Sequence, residues 1–207
     1  MYKNNILLDK LPTKVKIGGK FYNINSDFRT SMLFELLMQD EDIEDELKIT
    51  QALKLYFPKI PPLKYIEETI NIIMWFYGCG KEKEELNKRI KSTSNDLEQA
   101  YSFEHDNAYI YSAFLSQYKV DLQDIEYLHW WKFRTLFEGL TEENMIVKIM
   151  DYRTMDLSKM EKSEREFYKE KKEFFKLPKK ISKSDEEYKN KIEEILINGG
   201  VLTLEKL

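Results

Sequence analysis

The chain has 207 residues, of which 42% are hydrophobic and 34% charged, and a formal net charge of −4. A chain of this length buries enough surface to fold without disulfides or metal, and its single cysteine, Cys79, excludes an intrachain disulfide. No apolar run reaches the ~18 residues of a membrane helix, and the N-terminus lacks the apolar core of a secretory signal. We therefore expect a soluble protein that is made and used in a cytoplasm.

The N-terminal region is predicted to form a β-hairpin. Two short alternating runs, residues 14–17 and 20–24, are joined by Gly18 and Gly19. Two glycines supply the positive φ angles that a two-residue hairpin turn requires. A lone hairpin is only marginally stable in water, so it must pack on helices or pair with another strand. An edge that is left open could accept a strand from a neighbouring subunit.

Three helices are predicted to follow the hairpin. Their apolar stripes are Met32, Leu33, Leu36 and Leu37 in the first, Ile49, Ala52, Leu53 and Tyr56 in the second, and Ile66, Ile70, Ile73 and Tyr77 in the third. A loop with six acids in residues 40–46 ends the first helix, and Pro58 breaks the second. The third has further large apolar residues beside its stripe, so we expect it to be the most buried helix.

The middle of the chain begins with a polar stretch, residues 81–98, which indicates a linker or an exposed helix followed by a loop. Asp121 or Asp124 is predicted to cap a helix, and Thr141 to cap the next one, over residues 142–152. The predicted stripes are Tyr111, Phe114, Leu115 and Tyr118 in a helix that begins near residue 104, and Trp130, Phe133, Phe137 and Leu140 in the helix after it.

Tandem tryptophans, Trp130 and Trp131, form the densest aromatic patch of the sequence. Two adjacent indoles on a helix are not expected to face the same core, so one should be buried and the other should lie at a rim or an interface. Arg134 is within reach of both indoles for a cation–π contact. The patch is therefore either part of the core, braced by Arg134, or a subunit contact anchored by tryptophan.

The last third is predicted to be a charged helical arm, residues 157–207, attached to a helical core domain of residues 1–156. Ser163 and Glu166 have the spacing of a capping box at the start of a helix. Beyond them only a narrow aromatic stripe is apolar. It consists of Phe167 and Phe174, which are seven residues apart, and of Tyr168 and Phe175, which have the same spacing.

The arm differs in charge from the rest of the chain. Residues 157–191 hold 12 Lys or Arg and 8 Asp or Glu, a net charge of +4. This pattern indicates either a solvated surface or a basic arm that docks on an acidic partner or on another copy of the chain. A second capping box, Ser184 with Glu187, is predicted to open a final helix.

The sequence contains no signature of catalysis or of cofactor binding. It has no P-loop, no GxGxxG and no GxSxG motif. Cys79, His105 and His129 lack the spacing of a zinc site, and His129 is interpreted as a core histidine. The lysines of the arm alternate with acids, which argues against nucleic-acid binding. We expect no enzyme activity, no catalytic or metal-ligating residues, no cofactor, and neither a nucleic-acid nor a membrane partner.

Several segments are distinctive enough to suggest a family. They include Lys20-Phe21-Tyr22-x-Ile24-x-x-Asp27-Phe28-Arg29, Phe103-Glu104-His105-Asp106, Leu128-His129-Trp130-Trp131-Lys132-Phe133, Tyr152-Arg153-Thr154 and Leu157-Ser158-Lys159. The sequence resembles a family of small proteins from tailed phages and prophages of Gram-positive bacteria. The resemblance spans about residues 11–178 and leaves residues 179–207 outside.

The resemblance implies a function in phage assembly. Members of this family are typically encoded between the major tail protein and the tape-measure protein. That position implies a tail assembly chaperone in the host cytoplasm, which self-associates and keeps the tape-measure protein soluble while the tail tube forms. The alternative is a structural tail completion or joining protein that stays in the virion. The family has no catalytic residues to carry over.

The sequence therefore predicts a mainly α protein with a short N-terminal β-hairpin and a C-terminal helical extension. The residues expected to bind a partner are Phe167, Tyr168, Phe174 and Phe175. The residues expected to form an interface or to brace the fold are Trp130, Trp131 and Arg134.

Overall fold

A computed structural model describes residues 5–81 and 99–178. The strands are β1 (Lys14–Ile17) and β2 (Lys20–Asn23). The helices are α1 (Phe28–Gln39), α2 (Asp45–Tyr56), α3 (Ile66–Tyr77), α4 (Asn107–Ala113), α5 (Trp130–Glu138), α6 (Met145–Thr154) and α7 (Lys162–Phe174), with a π-helical segment at Phe114–Tyr118 and 3-10 turns at Leu63–Tyr65 and Leu157–Lys159. This architecture confirms the mainly α fold with an N-terminal hairpin.

Two predicted elements lie outside the described residues. These are the final helix after Ser184 and nearly all of the proposed linker at residues 81–98. The boundary between a core domain and an arm after residue 156 stays a prediction, although α7 does pack against α6.

The hairpin forms as predicted, with an antiparallel register in which Ile17 pairs with Lys20 across a two-residue turn. Gly18 and Gly19 have φ angles of 55° and 80°, which L residues rarely adopt. A Cβ on Gly18 would also collide with the ring of Tyr65, so glycine is required there for two reasons. The close approach at this turn seats the hairpin on the start of α3.

The buried face of α1 differs from the predicted stripe. Its buried residues are Phe28, Ser31, Phe34, Glu35 and Leu37. Leu33, which was predicted to be buried, is exposed, whereas two polar residues are buried because each has a partner. The Ser31 hydroxyl lies 3.0 Å from the Tyr56 hydroxyl, and Glu35 accepts a hydrogen bond from the Tyr77 hydroxyl. The buried face of α1 is therefore rotated from the predicted stripe, and it includes two polar side chains that are hydrogen-bonded to tyrosines.

The expectation that α3 is the most buried helix is wrong. Only Thr69, Ile73 and Phe76 of α3 are buried, whereas α1 buries five residues. One side of α3 packs toward α5, and Met74 on another side is exposed. Although α3 is apolar around much of its circumference, it lies at the surface, because the central side chains of the core belong to α5.

The start of α5 also differs from the prediction, because a tertiary contact determines it. Neither Asp121 nor Asp124 caps α5, which begins at Trp130. The backbone N–H of Trp130 donates to the Ser26 carbonyl at 2.8 Å, and the backbone N–H of Phe28 donates to the Leu128 carbonyl at 2.9 Å. These bonds hold residues 128 and 129 extended beside the start of α1, so the helix begins only after that pairing ends, at Trp130.

Two other predicted caps are also wrong. Helix α6 begins three residues after the predicted start, with Asn144 rather than Thr141 at its N-cap position. Helix α7 has Glu161 at its N-cap position, so Ser163 lies inside the helix and the predicted capping box does not form. Cap spacing by itself does not determine where a helix starts when more than one candidate residue is available.

Helix α5 provides the centre of the core. Trp130, Phe133 and Phe137 lie on one face and stack in sequence, with ring centroids 5.7 and 6.1 Å apart. Phe133 is also stacked on Phe28 at 5.1 Å and on Phe114 at 4.8 Å. This one ring therefore joins α1, the end of α4 and α5, as expected for aromatic packing with this geometry.

Both tandem tryptophans are buried, with Trp130 at 0% and Trp131 at 4% exposure, so the expectation that one lies at a rim or an interface is wrong. The chain at the end of α3 passes beside both indoles. The indole N–H of Trp130 donates to the Tyr77 carbonyl at 2.8 Å, and the indole N–H of Trp131 donates to the Phe76 carbonyl at 2.7 Å. With both polar atoms satisfied, neither indole needs contact with water.

We expect Trp131→Ala to lower the free energy of unfolding by about 3–5 kcal/mol, because it leaves a cavity and removes the hydrogen bond to Phe76. Trp131→Phe keeps most of the ring volume and should lower it by about half as much or less. Urea denaturation followed by far-UV circular dichroism measures both. A Trp131→Ala variant within about 0.5 kcal/mol of the wild type would contradict the placement of this side chain in the core.

Candidate partner-binding surface

Arg134 braces the aromatic core from one side. Its guanidinium carbon lies 5.6 Å from the centroid of the Trp130 ring, which confirms the expected cation–π contact. The same group donates to the Tyr101 hydroxyl at 2.8 Å and pairs with Glu138 at 3.2 Å. Trp130, Trp131 and Arg134 are therefore held inside the fold by contacts within one chain.

Glu35 belongs to a buried polar cluster beside this brace. Burial raises the pKa of its carboxyl group, and the hydrogen bond from the Tyr77 hydroxyl opposes that shift. Burial also raises the pKa of the nearby Cys79 thiol to about 11, which keeps this thiol protonated and unreactive at neutral pH. Within residues 5–81 and 99–178, every buried side-chain nitrogen and oxygen has a hydrogen-bond partner. The cluster thus stabilises the interior by bonding within itself.

His129 is a core histidine, as interpreted from the sequence. Its Nδ1 accepts a hydrogen bond from the backbone N–H of Trp131 at 3.1 Å, and its Nε2 lies 3.1 Å from the Pro12 carbonyl. This arrangement suits the neutral ring with its proton on Nε2. Burial lowers the pKa of His129, since the charged ring would lose its hydration.

A buried ion pair, which the sequence analysis missed, joins two distant segments. Arg153 donates to both carboxylate oxygens of Asp106, at 2.6 and 2.9 Å. The same guanidinium donates to the Ala100 carbonyl at 3.1 Å and to the Phe175 carbonyl at 2.6 Å. One side chain therefore connects the chain before α4, helix α6 and the end of α7. The two partners are 47 residues apart, and no spacing rule relates them.

The inner side of α7 is fixed on the core by aromatic contacts. Tyr152 of α6 stacks on Phe175 with ring centroids 5.8 Å apart, and it contacts the ring of Tyr168 at 6.2 Å. Tyr168 and Phe175 were predicted to bind a partner, but in this structure they pack within the chain. Together with the bond from Arg153 to the Phe175 carbonyl, they determine which side of α7 faces outward.

The outer side of α7 carries Phe167 and Phe174, which are 51% and 79% exposed. At the helical rise of about 1.5 Å per residue, their spacing corresponds to about 10 Å along the helix axis. The Lys171 amine lies 5.5 Å from the centroid of the Phe167 ring. We call these two phenylalanines the outer stripe, with Lys171 beside them. The predicted four-residue surface is thus divided into an inner pair that holds α7 and an outer pair that is accessible.

Within residues 5–81 and 99–178, His, Cys, Asp and Glu side chains nowhere form a group of three or more that could hold a metal ion. In the same ranges, no helix has both the length and the apolar character that crossing a membrane requires.

The family model of the bacteriophage Gp15 protein matches residues 7–177. The chain belongs to the bacteriophage Gp15 protein family. The match includes every described strand and helix of this Gp15 protein, from β1 to α7, so the outer stripe belongs to the family region. Among curated proteins and among solved structures, none matches the chain. Membership confirms the resemblance at the level of a phage protein family, while the tail-chaperone role and the gene position stay predictions.

The segments that carry the family resemblance meet in the folded Gp15 protein. Asp106 and Arg153, from two of these segments, form the buried ion pair. Asp27, from a third segment, accepts a hydrogen bond from the Leu128 N–H of a fourth at 3.2 Å and forms a β-bridge with His129. The distinctive residues of the sequence are therefore those that connect one helix to another.

We expect the stability of this protein to fall in acid through His129. Its pKa is lowered in the folded state, so the unfolded chain binds a proton more readily as the pH falls below the usual value of 6.5. The free energy of unfolding should therefore decrease from about that pH downward, and the decrease should be complete below the folded-state pKa. Urea denaturation between pH 7.5 and about 5 measures the effect.

His129→Asn is the matched control, since asparagine can also accept the Trp131 N–H at an N-cap position. Its stability relative to the wild type should improve as the pH falls through this window. A difference between the two proteins that is independent of pH would contradict the assignment of a buried neutral imidazole.

We expect Arg153→Met to lower the free energy of unfolding by about 3–5 kcal/mol, because it leaves the Asp106 carboxylate buried without its partner. Adding Asp106→Asn removes that charge and should recover part of the loss. A double-mutant cycle from denaturation curves measures the coupling. Strict additivity of the two changes would contradict a direct buried ion pair.

Proposed function

We propose that this Gp15 protein is a non-enzymatic tail assembly chaperone of the host cytoplasm, which self-associates and binds the tape-measure protein through the outer stripe of α7. The observation that supports this proposal is the exposure of Phe167 and Phe174 on a helix whose adjacent face is anchored through Tyr168 and Phe175. Membership of a phage protein family makes a phage component the partner to consider first.

The outer stripe has the chemistry of a helix-binding surface. Two large apolar side chains two turns apart match the spacing of anchors along an amphipathic helix. Burying one such ring contributes about 1.5–3 kcal/mol, and much of the sum is offset by the loss of freedom on association. A single copy should therefore bind weakly.

Weak individual binding suits a chaperone of a long partner. A tape-measure protein offers many similar helical segments, so an array of copies gains avidity without any tight contact. Each copy can still be displaced as the tail tube grows. Lys171 beside the stripe favours partner segments with acidic residues next to their apolar face.

Co-expression tests the proposed function. We expect the wild-type chain to raise the soluble yield of the tape-measure protein and to co-purify with it, and Phe167→Ser/Phe174→Ser to lose most of both effects. The matched control is Leu115→Ser, which removes an exposed apolar side chain from the segment that follows α4.

The stability of the double variant should stay within about 0.5 kcal/mol of the wild type, because both rings are accessible to water. A destabilisation as large as that of Trp131→Ala would mean that the stripe is core.

Equal yields of tape-measure protein with and without the wild-type chain would refute the chaperone function. Mass spectrometry of purified virions distinguishes the chaperone from the alternative, a structural tail completion or joining protein. Stoichiometric copies in the particle would indicate the structural protein.

A further inference from the structure

The β-hairpin has an outer face that no described part of the chain covers. Val15 and Ile17 are buried, so the alternate residues Lys14 and Lys16 face the other way. Phe21 lies directly across from Lys16 in the register and is 73% exposed. Within residues 14–23 the chain has three lysines and no acid, a local charge of +3. An exposed aromatic ring among lysines is the composition of a docking element.

A second accessible apolar feature is a groove between α1, α2 and α3. Its lining includes Met38 of α1, Ile49 of α2, and Ile70 and Met74 of α3. Met38, Ile49 and Met74 are all exposed, although each lies beside the buried core. Methionine side chains are flexible, so the two at this groove can repack around an inserted ring.

The groove is bordered at one end by a strongly acidic loop. Helices α1 and α2 both line the groove, and residues 40–44 connect the end of α1 to the start of α2. Residues 40–46 hold six acids and no lysine or arginine, a local charge of −6. Lys48 neutralises part of this charge through a pair with Asp45 at 3.9 Å. The side chains of Glu41 and Glu44 are exposed at the border.

We propose that the outer face of the hairpin of one copy docks into the acid-bordered groove of a second copy. Phe21 then fills the apolar groove, while Lys14 and Lys16 lie against the acidic loop. The proposal rests on the proposed function, since it names the surfaces of the self-association included there. It leaves the outer stripe of α7 free for the tape-measure protein.

The two surfaces cannot pair within one chain. Val15 and Ile17 hold the inner face of the hairpin in the core, and the Gly18 N–H donates to Glu68 of α3 at 3.1 Å. The outer face therefore points away from its own chain. In the one-way, heterologous arrangement of this contact each copy keeps one hairpin and one groove for further copies, so the assembly grows head to tail. A reciprocal two-fold arrangement of the same surfaces would stop at a dimer.

Complementation between two defective variants tests this pairing. Lys14→Glu/Lys16→Glu reverses charges on the hairpin and keeps the groove, whereas Glu41→Lys/Glu44→Lys reverses charges at the groove and keeps the hairpin. Sedimentation velocity of the full chain measures the mass. We expect wild-type assemblies to grow with concentration and to shrink as added salt screens the contact. We expect each variant alone to be monomeric under conditions where the wild type associates.

The equimolar mixture of the two variants tests whether the hairpin and the groove are partners. In the mixture each unchanged surface meets an unchanged surface of the other variant, and each charge-reversed surface meets a charge-reversed one, so the charges are complementary at both contacts. The mixture should therefore regain assemblies heavier than the single chain of 25.0 kDa. A mixture that stays monomeric would overturn the pairing, and so would variants that associate like the wild type. Thermal unfolding checks that both variants fold.

Phe21→Ser provides a test that does not change charge, with Leu115→Ser as the matched exposed control. We expect Phe21→Ser to abolish most of the association and Leu115→Ser to leave it unchanged. Equal effects of the two changes would overturn the role of Phe21. Failure of this inference is distinguishable from failure of the proposed function: a wild type that associates and raises the yield of tape-measure protein, with neither effect changed by the hairpin and loop variants, would refute the pairing alone.

Discussion

The fold depends on the hydrogen bonds that the two indoles of Trp130 and Trp131 donate to the last turn of α3. The end of a helix leaves carbonyl groups without partners inside the helix, and burying them unpaired would be costly. Here the carbonyls of Phe76 and Tyr77 accept hydrogen bonds from indoles at the start of another helix. The same contact places the largest aromatic side chains of the chain at the centre of the core, where the remaining helices pack around them.

A second constraint, the pair of Asp106 with Arg153, determines what the surface presents. Arg153 also holds the Phe175 carbonyl, and Tyr152 stacks on the Phe175 ring. With one side of α7 fixed in this way, Phe174 is directed to solvent. A surface that is apolar and anchored from behind can bind a partner without first losing conformational freedom. The buried ion pair is thus connected to the proposed function through the orientation of one helix.

Three accessible apolar features of the described chain differ in the charge that accompanies them. The outer stripe on α7 lies beside Lys171, the hairpin presents Phe21 among lysines, and the groove between α1, α2 and α3 ends at an acidic loop. The hairpin has a local charge of +3 and the loop at the groove has one of −6, whereas the outer stripe has a single lysine beside its rings. This difference is why we assign the hairpin and the groove to contacts between copies, and the outer stripe to a different protein.

The sequence by itself determined the elements whose causes are local. Gly18 and Gly19 specify the hairpin turn through their positive φ angles, and the apolar spacing identified the helices from Phe28 to Thr154. The exposed pair on α7 was also named, although as part of a larger stripe. Only the tertiary structure decided where α5 starts and why both tryptophans are buried. It likewise paired Asp106 with Arg153. These outcomes depend on groups that are close in space and distant in the chain. The spacing of apolar residues along a sequence does not predict which distant groups will pair.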